Sequence, residues 1–385
     1  MRNEFMQLVS WTVVPPASHI VGRDTIATMT RRNSPGPRAG TGANLRDVAR
    51  EAGVSVSTAS RALSGNTHIS DETRARVVDA AQRLNYTING LARSMSGAGP
   101  RPLVYLTYQV RDDAQGDIIM GLESVAKQHD SMLIVSTTVS ADDRTSDLID
   151  FFTQQRAAGV VIGRSGDDSP EFLANVRRYR DHLRSIGSPL VFCGRPEIPG
   201  EPNIPTVDYE QTGPGRRLTR ALTDLGHTRI AFVGAETNMP AQLRMRGFEQ
   251  GMRESGLEPN PAWMVHCRNS QAESQPVIER LLSLPDGERP TAIVAHSDYI
   301  ALGAYRAARR LGLRIPDDLS VVGFGDIPSC LDVTPTLTTV AAPFLTLGRQ
   351  AARFCFDPQS ANGTNLHATF ASTPIVRESM GPVPR

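Results

Sequence analysis

The chain has 385 residues, 41 basic against 40 acidic side chains for a net charge of +1, and 39% hydrophobic residues. That length holds two or three domains and that apolar content sustains a buried core, which excludes a disordered or collagen-like chain. No apolar run reaches the roughly 20 residues a helix needs to cross a bilayer, so no membrane partner is expected.

Residues 1–43 read as an extension. A short apolar patch from Leu8 to Pro16 has no small-residue cleavage site behind a basic start, so it is not read as a signal peptide. Thr30 to Gly42 is rich in Arg, Pro, Gly, Ser and Thr, a composition expected to be disordered. Met29 offers an alternative start, a few residues before the first helix.

From Asn44 to Leu63 the pattern becomes specific. Leu45, Val48, Ala49 and Ala52 recur at helical spacing and define one buried face. Gly53 supplies a turn, Val54 plugs the core, and Ser55 can cap a second helix. On that helix Ala59 and Leu63 face inward, which leaves Val56, Ser57, Thr58, Ser60 and Arg61 for another surface. Two short helices around a glycine turn, the second bearing small polar residues and an arginine, fit a helix-turn-helix that enters a DNA major groove. The bland alternative is an ordinary helical hairpin. A third helix is predicted from Ser70, with Asp71 and Glu72 favouring its positive end and Val77, Val78, Ala81 and Leu84 as its apolar stripe. Asn85-Tyr86 ends it. The run Asn89 to Gly97 is too short to be helical alone and becomes so only when held.

From Arg101 onward strands alternate with helices. Strands are expected at Pro102–Tyr108, Met132–Thr138, Ala158–Ile162, Pro189–Cys193, Arg229–Gly234, Thr291–Ala295 and Ser320–Phe324, with a helix at Ile118–His129. This is the rhythm of parallel α/β units, whose ligands sit beyond the carboxyl ends of the strands. The four cysteines (Cys193, Cys267, Cys330, Cys355) form no C-x-x-C pair and fit reduced core thiols in a cytosol better than a metal site or a disulfide frame. The sequence lacks G-x-S-x-G, H-E-x-x-H and a P-loop, so neither an enzyme nor a cofactor is expected. Charge is unevenly spread: residues 1–95 carry twelve Arg against seven Asp and Glu, about +5, and the remainder is about −4. A dimer would double that excess, and counterion release would supply much of its nonspecific DNA affinity.

The segments L-R-D-V-A-R-E-A-G-V-S-V-S-T-A-S-R-A-L-S-G (45–65), I-S-D-E-T-R-A-R-V (69–77) and R-L-N-Y (83–86) resemble the LacI/GalR family of bacterial transcription regulators, and the resemblance spans roughly 44–379. It implies an all-α helix-turn-helix head at 44–88, a hinge helix or linker at 89–100, and a two-lobed α/β effector-binding and dimerisation domain at 101–379, built like a periplasmic binding protein. The first lobe would hold about 101–227 and 339–367, and the second about 228–338 and 368–379. Crossings are expected near Gly226-His227, Thr338-Thr339 and Ala368, with a final strand at Thr369 to Glu378 in the second lobe. The implied recognition helix is Ser57 to Ser64. Val56 and Ser57 fall at the positions that vary most between operators, and Arg61 at a base- or phosphate-contacting position. Thr58 and Ser60 share that helix. Asn44, Leu45 and Arg46 fall near the DNA backbone, His68 at a phosphate-contacting loop, and Met95 where the family wedges a leucine into the minor groove.

For the effector, Arg244 matches the family arginine that pairs with ligand oxygens, and its fork of donors suits bidentate binding. Ser297 stands in place of a ligand-binding Asn, and Gly325 in place of an aspartate that accepts from sugar hydroxyls. Asp298 reads as a helix cap, and Asp326 as structural. The first strand leads into Asp112-Asp113-Ala114-Gln115 where the family shows aromatics, so Ala114 and Gln115 take those places and the pocket is expected to be poor in aromatic surface. Loss of a carboxylate beside a retained arginine favours an acidic ligand, such as a sugar acid, over a neutral sugar. The resemblance implies a cytoplasmic, nucleoid-associated homodimeric repressor on a near-palindromic operator. A solute-binding protein without DNA function would share the lobes but would need an export signal. After the last strand no leucine heptads remain, so no tetramerising tail is expected.

Overall fold

A computed structural model describes residues 43–63, 68–86, 100–107, 110, 113–137, 144–163, 168–235, 239–357 and 366–384. The chain separates into two units, with the boundary between Tyr86 and Thr87.

The first unit contains α1 (Leu45–Glu51), α2 (Val56–Leu63) and α3 (Asp71–Arg83). Asn44 starts α1 with a capping box. Its side-chain oxygen accepts from the backbone N–H groups of Arg46 (2.9 Å) and Asp47 (3.2 Å), and the Asp47 carboxylate accepts from the Asn44 N–H at 3.0 Å. Such reciprocal caps satisfy donors that a helix start otherwise leaves open. Gly53 turns the chain at φ +65°, and the Ser55 hydroxyl accepts from the Thr58 N–H at 3.1 Å to cap α2. Ser70 caps α3, and Asn85 ends it in the left-handed region at φ +46°. The core is Val48, Ala49, Ala52, Ala59, Ala62, Val77, Ala80 and Ala81. Ala62 and Ala80 take the deepest places where the spacing pointed to Leu63 and Val78. Small side chains let the three helices approach closely, so Leu63 stays half-buried at the edge and Val78 is exposed.

The second unit is built on two parallel sheets. The first runs β11 (His367–Phe370), β5 (Thr206–Tyr209), β4 (Leu190–Cys193), β3 (Gly159–Gly163), β1 (Leu103–Thr107), β2 (Leu133–Thr137). Helices α4 (Asp113–Gln128) and α12 (Phe344–Phe356) pack together, and α5 (Arg144–Gln154) packs with α6 (Pro170–Ser185). The second sheet runs β7 (Met264–Cys267), β6 (Ile230–Ala235), β8 (Ala292–Ala295), β9 (Ser320–Val322). Its helices are α7 (Thr212–Asp224), α8 (Met239–Glu254), α9 (Gln271–Leu282) and α10 (Asp298–Leu311), followed by the short α11 (Ser329–Asp332). Strands β1, β3, β4 and β8 are buried along their whole length, as central strands of covered parallel sheets must be. Edge strand β2 is only half-buried.

Glycines set the helix spacing. A Cβ at Gly121 would collide with the backbone of Leu345, and one at Gly348 with that of Ile118, so α4 and α12 touch backbone to backbone. Gly247 and Gly251 do the same for α8 against the Thr212 and Arg216 carbonyls of α7.

The lobe limits differ from the sequence reading. Because α7 is locked to α8, it belongs to the second lobe, and the first crossing falls at Glu210-Gln211 rather than at Gly226-His227. His227 lies inside the second lobe, its ring between the Thr291 hydroxyl (2.9 Å) and the Gly381 carbonyl (3.0 Å). The chain returns through β10 (Thr339–Ala341). Ala368 lies within β11, paired in register with Val207 of the first sheet, so the third crossing follows Phe370. The expected last strand is therefore two: β11 in the first lobe and β12 (Thr373–Ile375), which pairs antiparallel with β10. Strands β5 and β7 are additional to those read from the sequence. One apolar cluster runs from Leu103 and Leu122 through Tyr209, Val340 and Phe344 into Phe232 and Phe248, joining the lobes.

Candidate functional site

In the head, α2 separates two faces. Ala59 and Ala62 are buried, while Val56 is 42% exposed and Ser57, Ser60 and Arg61 are exposed beside it. Thr58 is half-buried, and its hydroxyl and that of Ser57 each lie 2.8 Å from the Ser55 hydroxyl. Asn44, Arg46 and His68 are exposed, whereas Leu45 packs half-buried on the head core. Arg83 is held by Glu51 (3.5 Å) and Asp79, and Arg50 by Asp47 (3.3 Å). Ser64 and Met95 lie outside the described residues.

In the body, a small cleft is lined by Ala114, Arg244, Asn269, Ser297, Asp298, Tyr299, Phe324, Gly325, Ile327 and Phe344. Four of the five expected effector residues thus meet there. Gln115 does not. Its carboxamide oxygen accepts from the hydroxyls of Tyr105 (2.6 Å) and Thr107 (3.2 Å) inside the first lobe, because it occupies the inward face of α4.

Arg244, on α8, forms the floor. Its guanidinium stacks on Phe324 and donates to the His296 carbonyl and the Tyr209 hydroxyl. Tyr209 ends β5 and meets Phe344 edge-on at 5.4 Å, so the arginine ties both lobes together. Asp208, beside Tyr209 and near Gln211, is nearly inaccessible, and burial pushes its carboxyl up to about 6 despite the Arg244 and Arg195 charges.

Asp298 is not the cap of α10. Ser297 is, accepting from the Ile300 N–H, while its hydroxyl also donates to Asn269. The Asp298 carboxylate turns the other way, accepting from the Thr339 hydroxyl and, at 3.1 Å, from the Ile327 N–H. Burial raises its pKa. It pins the Gly325–Ile327 loop and the β10 crossing to the start of α10. Gly325 sits at φ +140°, where its missing side chain makes room for that carboxylate. Asp326 pairs with Arg377 at 2.6 Å.

The expected shortage of aromatic surface is corrected here. Tyr299, Phe324 and Phe344 line the cleft, supplied by three elements far apart in the chain. Sequence reasoning missed Asn269, Tyr299 and Phe344. Asn269 follows the unread strand β7, and the other two carry no local signal.

A helix-turn-helix head with an outward reading face, attached to a two-lobed body with a cleft, defines a DNA-binding transcription regulator. Residues 44–89 match the model for bacterial regulatory proteins of the lacI family, and residues 219–380 that for a periplasmic binding protein-like domain. The chain is 30% identical over 341 residues to the ribose operon repressor of Haemophilus influenzae, covering 88% of this chain and 98% of the relative. It is 29% identical to the transcriptional repressor CytR of Escherichia coli over 318 residues, 82% of this chain and 90% of that one. The lac repressor dimer bound to operator and the anti-inducer ONPF has the same fold, with a TM-score of 0.74 at 24% identity over 89% of this chain and 100% of that one. The CelR–cellobiose complex aligns with a TM-score of 0.62 at 26% identity, over 88% and 99%. The chain belongs to the LacI family of transcription regulators.

Proposed function

We propose that this chain is a homodimeric repressor that binds a near-palindromic operator through α2 and responds to a small ligand in the cleft between its lobes. It acts in the cytoplasm and has no catalytic role, and the domains run as head 44–88, linker 89–100 and a body from 101 that continues past 379 to include Gly381 and Val383. The observation that carries the reading is the outward face of α2, where Val56, Ser57, Ser60 and Arg61 lie exposed opposite the buried Ala59 and Ala62. Arg61 reads a base or a phosphate, Val56 offers an apolar contact such as a thymine methyl, and Ser57, Thr58 and Ser60 contribute short polar contacts. Asn44, Arg46 and His68 meet the DNA backbone. The Asn44 oxygen is committed to the capping box, so its contribution comes from its amide N–H donors. Leu45 serves mainly the head core.

Relatives and structural neighbours include a ribose operon repressor and a cellobiose complex. The aromatic walls of this cleft, with Asn269 and Ser297 as hydrogen-bonding groups and Arg244 already engaged at its floor, favour a small hydroxylated ring compound over the sugar acid that Gly325 suggested. Titration of DNA from upstream of the chain's own gene, with and without candidate metabolites, tests the reading. Arg61→Ala is expected to lose about 1–3 kcal/mol of preference for the operator over random DNA. Equal binding of all fragments, liganded or not, would overturn it.

A further inference from the structure

The mouth of the cleft is bridged by two residues from opposite lobes. Asp113 opens α4 in the first lobe, and Tyr299 lies in the first turn of α10 in the second. The Tyr299 hydroxyl donates to the Asp113 carboxylate at 2.8 Å and accepts from the Asp113 backbone N–H at 3.3 Å. The first N–H groups of a helix have no acceptor within it. A side chain from the other lobe, 186 residues on, therefore serves as a partial cap for α4.

Two further features make this more than a chance surface contact. The Tyr299 ring is half-buried against the core of the second lobe, which fixes where its hydroxyl stands. The same ring lines the cleft together with Ala114, the residue after Asp113, so the pair stands beside the cleft. The bond itself is exposed and its acceptor is charged. Water competes for such a bond, so it holds weakly and can open, as a gate must.

We propose that Asp113 and Tyr299 form a clasp that ties the two lobes together across the cleft, and that a ligand passes between the lobes when this clasp opens. The clasp concerns the cleft assigned above as the ligand site. Opening exposes the Asp113 carboxylate as an acceptor for a ligand hydroxyl, delivered from the lobe opposite the one where Gly325 stands.

Hydrogen–deuterium exchange of the full-length, ligand-free protein tests the clasp. Tyr299→Phe keeps the ring and removes only the hydroxyl. It is expected to speed exchange of amides 117–120, the first intrahelical donors of α4 in the other lobe, by about three- to tenfold. Asp113→Ala is expected to do the reverse, speeding amides 302–305 of α10, and the double variant to add little to either. Changes confined to each variant's own helix, or no change across the cleft, would overturn the clasp. That outcome would leave ligand and operator binding standing, because the measurement uses neither.

Discussion

The guanidinium carbon of Arg244 lies 3.8 Å from the centroid of the Phe324 ring, so a cation covers one face of an aromatic ring in the cleft. Both groups belong to the second lobe, yet the same guanidinium donates to Tyr209 at the end of a first-lobe strand. Arg244 is thus a structural joint as well as part of the cleft lining. Arg244→Ala is expected to destabilise the body by about 2–4 kcal/mol, because the Tyr209 hydroxyl and His296 carbonyl lose a charged donor in a buried place. Denaturant unfolding without ligand measures it. A change below about 0.5 kcal/mol would show that the arginine serves ligand alone.

Asp208 gives the body a pH dependence. Its carboxyl is pushed up to about 6 in the folded chain, chiefly by burial, against an ordinary value of 3.8. A raised folded pKa means the folded state holds the proton more tightly. The stabilisation is complete below the unfolded value and is lost as pH rises through the folded one. The wild type is expected to lose about 1 kcal/mol between pH 5 and pH 7 relative to Asp208→Asn. Unfolding midpoints of both proteins at the two pH values check the difference.

Restoring an aspartate at Gly325 is expected to fail as a repair of the ligand site. At φ +140° an L side chain is strained, and the new Cβ would come within 3.0 Å of the Asp298 carboxylate. A second carboxylate there adds repulsion. Gly325→Asp should cost about 2–3 kcal/mol of stability, and Gly325→Ala somewhat less. Thermal unfolding distinguishes this from a neutral exchange.

The head should respond to its cap independently. Asn44→Ala removes the oxygen that accepts two backbone N–H groups and is expected to cost about 1 kcal/mol. The loss should appear in head unfolding and in DNA affinity at all sequences, while exchange in the body stays unchanged. An equal loss in both units would contradict it.

How much of this was legible depends on how local the determinants are. Gly53, Ser55 and Ser70 act within a few residues, so the head helices and their turns could be read from the chain, whereas the capping box of Asn44 emerges only from the structure. The apolar runs of β1, β3, β4 and β8 were visible for the same reason. The cleft was only half visible. Arg244, Ser297 and Gly325 stand in recognisable motifs, but Tyr299 and Phe344 converge on them from sites set by the packing of whole helices. Asp298 looked like a cap because it stands at a helix start, and only tertiary contact reveals that Ser297 caps while Asp298 reaches Thr339. The second crossing matches β10, but the first is hidden from local sequence because glycine contacts between α7 and α8 decide which lobe owns a helix, and the third because Ala368 pairs with Val207 of the first sheet.

Those glycine seams have a mechanical consequence. Where two helices meet main chain to main chain, no side chain lies between them to yield, and each lobe is held like a laminated plate. Flexure is then concentrated in the three thin straps at Glu210-Gln211, Thr339–Ala341 and the stretch after Phe370. A substitution that enlarges a seam residue such as Gly247 would therefore push α7 and α8 apart and loosen the plate.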